Sequence, residues 1–279
     1  MNILVLGGSG FVGRSVVRIL REHGHQVRTP SRRELDYLKP SEQAARALLQ
    51  GQDWVINAVG VMSRSADILE TVHHHTPKQL AAWAKQEGVA RWVQLSALGA
   101  DAAQDIAFVG SKGRGDEAVC RSGLQVVIAR PSVVYGRGGV SCELFIKLAK
   151  LPVLPLPKGG RFDLQPVHVA EVAEGLVKLA EQTPAHGTVV NMVGGRQVTL
   201  AQYLSVIRET LHHRTPLRVL PIPLGFIKPV LPLANIVSNG ILSPASIRLL
   251  EQGSCADTAV FAALLGRMPL AAEQFAGVE

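Results

Sequence analysis

"NILVLGGSGFVG", residues 2–13, decides the fold. A short apolar run, Asn2 to Leu6, reads as a buried strand, and it empties into glycines at 7, 8, 10 and 13. Gly7, Gly10 and Gly13 fit G-x-x-G-x-x-G, while Gly8, Gly10 and Gly13 fit G-x-G-x-x-G. Either reading has the same physical content. The bend needs positive φ, backbone bare enough for an anion to approach, and close packing of the next helix on the strand. "VGRSVVRILREHG" (12–24) follows with helical apolar spacing, so its unpaired N–H groups and positive dipole end face the bend. Gly7, Ser9, Gly10, Phe11, Val12 and Gly13 are the candidate cradle of a dinucleotide pyrophosphate.

Further strands are expected at "QVRTPSR" (26–32), "DWVINAVG" (53–60), "RWVQLSAL" (91–98), "LQVVIARPS" (124–132) and "TVVNMVG" (188–194). Helical spacing lies between them, in "PSEQAARALLQG" (40–51) and "TPKQLAAWAKQEG" (76–88), and returns in "HVAEVAEGLVKLAEQ" (168–182). Such alternation predicts an α/β fold with a doubly wound parallel sheet. After Gly136 the rhythm breaks. "CELFIKLAKL" reads as a helix, but the prolines and glycines of "PVLPLPKGGRFDLQP" (152–166) argue against regular structure there. Residues 1–136 and 167–195 are therefore assigned to the sheet domain, and 137–166 with 196–279 to a smaller substrate-side domain.

With 279 residues, 47% of them hydrophobic, the chain can bury a sizeable core, which excludes disorder. The net charge of +7 draws on a cluster of arginines between Arg14 and Arg33, and this favours an anionic ligand near the N-terminal half. With only 5% aromatic residues and no zinc-finger or RNA-recognition spacing, nucleic acid is not an expected partner. Three scattered cysteines, Cys120, Cys142 and Cys255, suggest neither a disulfide framework nor a metal site, and a reducing cytoplasm is the expected setting. "ILVLGG" is too short for a secretion signal. The apolar stretch 219–237 holds Lys228, Asn235 and four prolines, so it is not expected to span a membrane. Peripheral contact with the inner face of a membrane stays open there.

The end of the second strand separates the two nicotinamide dinucleotides. An NAD site usually places an acid about 20 residues beyond the glycines. "VRTPSRR" offers none, and Arg32, or Arg33 beside it, suits a ribose 2′-phosphate, so NADP(H) is expected over NAD(H). Asp36 is placed either near the adenine amino group or in a turn.

"GGSGFVG" (7–13), "NAVG" (57–60), "QLSALGA" (94–100), "FVGSK" (108–112), "ARPSVVYG" (129–136), "PVHVAEVAEG" (166–175) and "VNMVGGRQVTLAQYL" (190–204) together resemble the short-chain dehydrogenase/reductase superfamily, in its atypical extended branch. That branch includes the reductase-like accessory subunit of respiratory complex I and bacterial reductases whose Rossmann part precedes a DoxX-like membrane module. The resemblance implies a Ser, Tyr and Lys apparatus. Ser96 matches the serine and Lys112 the lysine, but Phe108 stands at the tyrosine position. The phenol's pKa is normally lowered by the ammonium so that it can pass a proton to the substrate oxygen. A benzene ring can do neither. Lys112 keeps the role of bonding the nicotinamide ribose, Asn57, Ala58, Val59 and Gly60 match the segment beside the adenosine, and Pro131, Ser132 and Val133 match that beside the nicotinamide.

Tyr135, Ser96, Ser111 and His168 are the hydroxyl and titratable groups that the fold would bring near the cleft, His168 being read first as structural. His73, His74 and His75 are not expected to hold a metal, since consecutive histidines face different ways and lack an i,i+4 pair. Three functions follow. One is an NADP-dependent oxidoreductase with a degenerate acid site and an unidentified small-molecule substrate. Another is a non-catalytic, nucleotide-bound structural or redox-sensor protein in contact with a respiratory complex. The third is a nucleotide-sugar epimerase or dehydratase. Homodimers are common in the superfamily, but no stretch marks an interface.

Overall fold

Strand β1 (Asn2–Leu6) pairs in parallel with β2 (Gln26–Arg28) on one side and β3 (Trp54–Asn57) on the other. The computed structural model describes residues 1–182, 184–215, 217–223 and 244–278. Beyond β3 the sheet continues in parallel through β4 (Arg91–Leu95), β5 (Gln125–Pro131) and the late strand Thr188–Met192. The chain leaves β1 toward β2 and then returns to β3 on β1's other side. The switch point therefore lies at the carboxyl ends of β1 and β3, where open parallel sheets bind ligands.

Period-2 alternation sorts the core onto two faces. Ile3 and Val5 join Val16 and Leu20 of α1 (Gly13–Glu22) and the later helix Val169–Gln182. Leu4 and Leu6 point the other way, onto Leu48 and Leu49 of α2 (Glu42–Leu49) and Leu80, Ala81 and Ala84 of the helix Thr76–Gln86. A third cluster gathers Tyr135, Leu154, Leu156, Phe162, Tyr203 and Phe275, away from the sheet.

The second strand is shorter than expected, ending at Arg28. Residues 29–33 leave it through a turn in which Glu34 accepts the Ser31 N–H at 2.8 Å. "PVLPLP" is not loop. Val153–Pro157 pairs in parallel with Arg218–Ile222, and Asp163–Leu164 pairs antiparallel with Val198–Thr199. Prolines two residues apart put their missing donors on one edge of the strand, and a two-stranded sheet leaves that edge unpaired. Of the apolar segment 219–237, residues 224–237 lie outside the described residues. No helix among the described residues is long and apolar enough to cross a membrane.

Residues 66–86 run as α3 (Ala66–Glu70), a wide turn Thr71–His75 and α4 (Thr76–Gln86). Pro77 explains the wide turn. It has no N–H for the His73 carbonyl four residues back, and its ring crowds that oxygen. The helix widens there, with the Thr76 N–H reaching Thr71 O. α5 (Ala107–Cys120) packs on this turn through Gly115, where an added Cβ would lie 1.9 Å from His73 O. Three helical glycines, Gly110, Gly113 and Gly115, each cost about 1 kcal/mol relative to alanine. All three meet backbone at distances no methyl group permits. Gly115→Ala is thus expected to lose up to about 2 kcal/mol net in urea denaturation, overpacking of about 1–3 kcal/mol outweighing a propensity gain of about 1 kcal/mol. Unchanged stability would show that the turn yields to the methyl group.

Candidate functional site

The bend after β1 is closed by backbone contacts. Gly7 has φ +75° and Gly10 N donates to Gly7 O at 2.9 Å. A Cβ on Gly13 would sit 2.1 Å from that same oxygen, and one on Gly8 would sit 2.3 Å from the Thr29 methyl. The helix α1 then starts at Gly13 with Val12 at its N-cap. Among the described residues no side chain caps it, and its first turn carries no acid. Orphan N–H groups beside bare backbone suit an anion, so Gly7, Ser9, Gly10, Phe11, Val12 and Gly13 stand as the candidate pyrophosphate cradle.

Three segments converge on the cradle. Ala58 and Val59 touch Gly7 within 3.0–3.1 Å of where its Cβ would be. Gly136 and Gly139 lie against the Phe11 ring, and Arg14 donates to Arg137 O at 2.8 Å. On the other side, a cleft of about 500 Å³ runs between α1 and β2, lined by Gly8, Ser9 and Thr29, by Arg14, Arg18 and Arg21, and by Glu22, which accepts from Arg18 at 2.9 Å. The sequence counts these arginines in the basic excess of residues 1–39, and their spacing of four and three residues marks one helix face. Arg32 and Arg33 are exposed on the turn after β2, and Asp36 takes the turn role, accepting Leu38 N at 2.9 Å.

Asn57 turns into the core. Its side-chain oxygen accepts the Tyr37 hydroxyl at 2.8 Å and Val59 N at 3.2 Å, and its amide donates to Gln94 at 3.0 Å. Pro131 and Val133 are likewise committed through their carbonyls, to Leu98 N and Val167 N. Ser132 donates its hydroxyl to Gln165 O. The strand ends thus hold one another at the rim of the cleft.

α5 carries the other half of the site. Phe108, Lys112 and Asp116 stand four residues apart on one helix face. Lys112 Nζ lies 5.7 Å from the Phe108 ring centroid and donates to Leu95 O at 3.2 Å. Burial brings the Lys112 pKa down to about 8, with the Asp116 charge pulling the other way. Ser96 Oγ is taken: it donates to Asp116 Oδ2 at 2.7 Å, and Arg130 bonds the same oxygen at 2.9 Å. The other Asp116 oxygen has no partner among the described residues, and burial raises this carboxyl's pKa despite those contacts. Sequence reasoning missed Asp116, though it follows Lys112 by one helical step.

The wide turn places His73 beside Lys112. Its ring lies edge-on to Phe108 at 5.5 Å, and a Cβ on Gly60 would meet both Lys112 Nζ and His73 Nε2 within 4 Å. Nε2 accepts Val61 N at 3.2 Å, so Nδ1 carries the proton toward Ser111 Oγ, 3.0 Å away, whose hydroxyl donates to Phe108 O. Burial, then the Lys112 charge, lowers the His73 pKa to about 2. Ser111 is thereby occupied. Tyr135 is buried and stacked 4.9 Å from Phe275, and His168 Nδ1 accepts Ala170 N at the start of the helix Val169–Gln182. None of the four candidates stands ready as a replacement acid.

The three histidines correct the sequence reading in one respect. His74 and His75 have ring centroids 4.5 Å apart, and Glu70, four residues before His74, supplies an i,i+4 carboxylate at 3.2 Å. Arg114 already occupies both oxygens of Glu70.

The chain matches the NAD dependent epimerase/dehydratase family over residues 3–106. It is 29% identical over 245 residues to the mitochondrial NADH dehydrogenase [ubiquinone] 1 alpha subcomplex subunit 9 of Arabidopsis thaliana, covering 79% of this chain and 60% of that one. It is 29% identical over 203 residues to the ceramide reductase of Caulobacter vibrioides, covering 67% of this chain and 63% of that one. It thus spans about six tenths of the length of these relatives. Among solved structures, a dTDP-4-dehydrorhamnose reductase from Bacillus anthracis in complex with NADP shares the fold, with a TM-score of 0.72 at 14% identity, over 99% of this chain and 96% of that one.

A neutral buried histidine makes folding acid-sensitive. The unfolded chain takes up a proton at His73 below about pH 6.5. The folded chain takes it up only near pH 2, so stability falls as the pH drops through that window. His73→Gln should reduce the stability lost between pH 7 and pH 4.5 by about 2–3 kcal/mol, measured by denaturant titration at both values. Parallel losses in the two proteins would remove the assignment.

Proposed function

We propose that this chain, similar over residues 3–106 to the NAD dependent epimerases and dehydratases, is an extended short-chain dehydrogenase/reductase that holds NADP(H) in a site stripped of the family's tyrosine acid. The observation that carries this reading is the bend itself: glycine backbone packed too closely for any Cβ, under an uncapped helix N-terminus. The dinucleotide would supply hydride-transfer capacity. The chain's own residues bind and orient it.

NADP(H) over NAD(H) is supported by charge. Arg32 and Arg33 follow β2, Arg14, Arg18 and Arg21 outnumber Glu22 in the adjoining cleft, where Glu22 is paired with Arg18, and Glu34 accepts the Ser31 N–H. Gly7, Ser9, Gly10, Phe11, Val12 and Gly13 take the pyrophosphate, and Ala58, Val59 and Gly60 border the adenosine. Lys112 bonds the nicotinamide ribose, with Pro131 and Val133 at its far edge. Asn57 and Asp36 shape this site through their side-chain bonds rather than by donating to the ligand. Phe108 offers no proton, and Ser96 is bonded to Asp116. Acid–base catalysis is worth about 10²- to 10⁴-fold, so a chain without it retains its ligand better than its turnover.

The NADH dehydrogenase subunit among its relatives supports a structural role, in which bound NADP(H) stabilises the fold by mass action and the chain docks on a membrane-bound assembly. The ceramide reductase supports a second reading, slow reduction of a ceramide-type carbonyl. Phe108→Tyr separates them. With the ring beside Lys112, this variant should keep its NADPH affinity within about twofold, and carbonyl reduction should rise by about 10²-fold or more if a substrate still enters. Wild-type turnover equal to the variant's would mean that another group delivers the proton. In fluorescence titrations Arg32→Ala should weaken NADPH by about tenfold and leave NADH nearly unchanged. Equal losses would take the 2′-phosphate away from Arg32, and no uptake of either dinucleotide by the wild type would end the proposal.

A further inference from the structure

His23 and His25 flank the entry to β2, and both rings reach one carboxylate oxygen across the molecule. His23 Nδ1 lies 2.8 Å and His25 Nε2 3.1 Å from Glu181 Oε1. One ligand atom from each of the three residues lies within 4.8 Å of the others. A tetrahedral Zn²⁺ with arms of about 2.0–2.2 Å separates its ligands by about 3.3 Å, so small side-chain shifts would admit an ion between them. Two imidazoles and a carboxylate are a borderline donor set, suited to zinc and its neighbours rather than to calcium or magnesium.

The backbone points the same way. His23 is the C-cap of α1, and Glu181 stands in the last turn of the helix Val169–Gln182. Two helix C-termini, each with a partial negative charge, therefore meet at the cluster. A carboxylate in a final turn is badly placed for the dipole unless a cation compensates it. Arg91 donates to Ala180 O and lies over the Trp54 ring rather than bonding Glu181. The three side chains range from mostly buried (His25) to half exposed (His23), which leaves solvent access for a fourth, water ligand. The Glu70, His74 and His75 cluster lacks these properties, because Arg114 already neutralises its carboxylate.

We propose that His23, His25 and Glu181 form a binding site for a zinc-class divalent ion, which clamps α1 to the helix Val169–Gln182. The clamp sits at the amino ends of the strands, the opposite end of the sheet from the glycine bend.

Trp54 provides a reporter, its ring centroid 5.6 Å from that of His25. The untagged, chelator-stripped full chain is titrated with Zn²⁺ against a chromophoric chelator, and separately with Cu²⁺ while tryptophan emission is followed. One equivalent of Zn²⁺ should bind, and Cu²⁺ should quench emission in the wild type but much less in Trp54→Phe. His23→Ala, at a half-exposed position, and Glu181→Gln should each weaken Zn²⁺ by at least about tenfold. Glu70→Gln and His75→Ala should leave it unchanged. Absence of stoichiometric uptake, equal affinity in His23→Ala and Glu181→Gln, or loss confined to the Glu70 and His75 variants would each overturn the assignment, leaving the cluster a plain hydrogen-bonded clasp.

Discussion

The carbonyl oxygen of Gly7 lies 2.1 Å from where a Cβ on Gly13 would stand. That approach brings α1 directly onto the end of β1, and much else follows from it. It aims the helix N-terminus at the switch point, sets Val16, Val17 and Leu20 into the sheet-face core, and brings Phe11 against Gly136 and Gly139. Any side chain at position 13 would push the helix out and pull the strand ends apart. One short contact between two backbones therefore supports both the packing and the anion cradle.

α5 repeats the device on the opposite face of the sheet. Gly115 lets it descend onto the wide turn that Pro77 creates, Gly110 and Gly113 let it approach the backbone of residues 101–104, and Lys112 and Asp116 on this helix are buried. A buried ammonium and a neutral histidine then meet beside Gly60, with the buried Asp116 carboxylate one helical turn beyond Lys112. Lys112 and His73 are bonded to neighbouring protein groups, and Asp116 through one of its two oxygens. Phe108, which carries no hydroxyl, packs edge-on to His73 within this frame.

Much of this was readable in the residues. The strand, bend and helix at 2–22, the apolar runs of the central strands and the helical spacing at 40–51 and 76–88 are local signals, and each was recovered within a few residues. The pairing of "VLPLP" was not. Proline predicts the loss of a donor, but whether that donor was needed depends on which edge the strand presents, a question about its neighbour. The wide turn was equally hidden, because Pro77 marks a helix disturbance without revealing which side chain will swing inward.

The sequence by itself determined the α/β alternation, the glycine bend, the arginine excess beside it and the absence of a hydroxyl at position 108, because each depends on residue type and short spacing. Only the tertiary structure decided that Ser96 answers to Asp116, that His73 is buried next to Lys112, and that His23 and His25 meet Glu181. These groups lie between 20 and 158 residues apart along the chain. What each hydroxyl, imidazole or carboxylate can do is set by the partner it meets, and distant partners are chosen by how helices pack on the sheet.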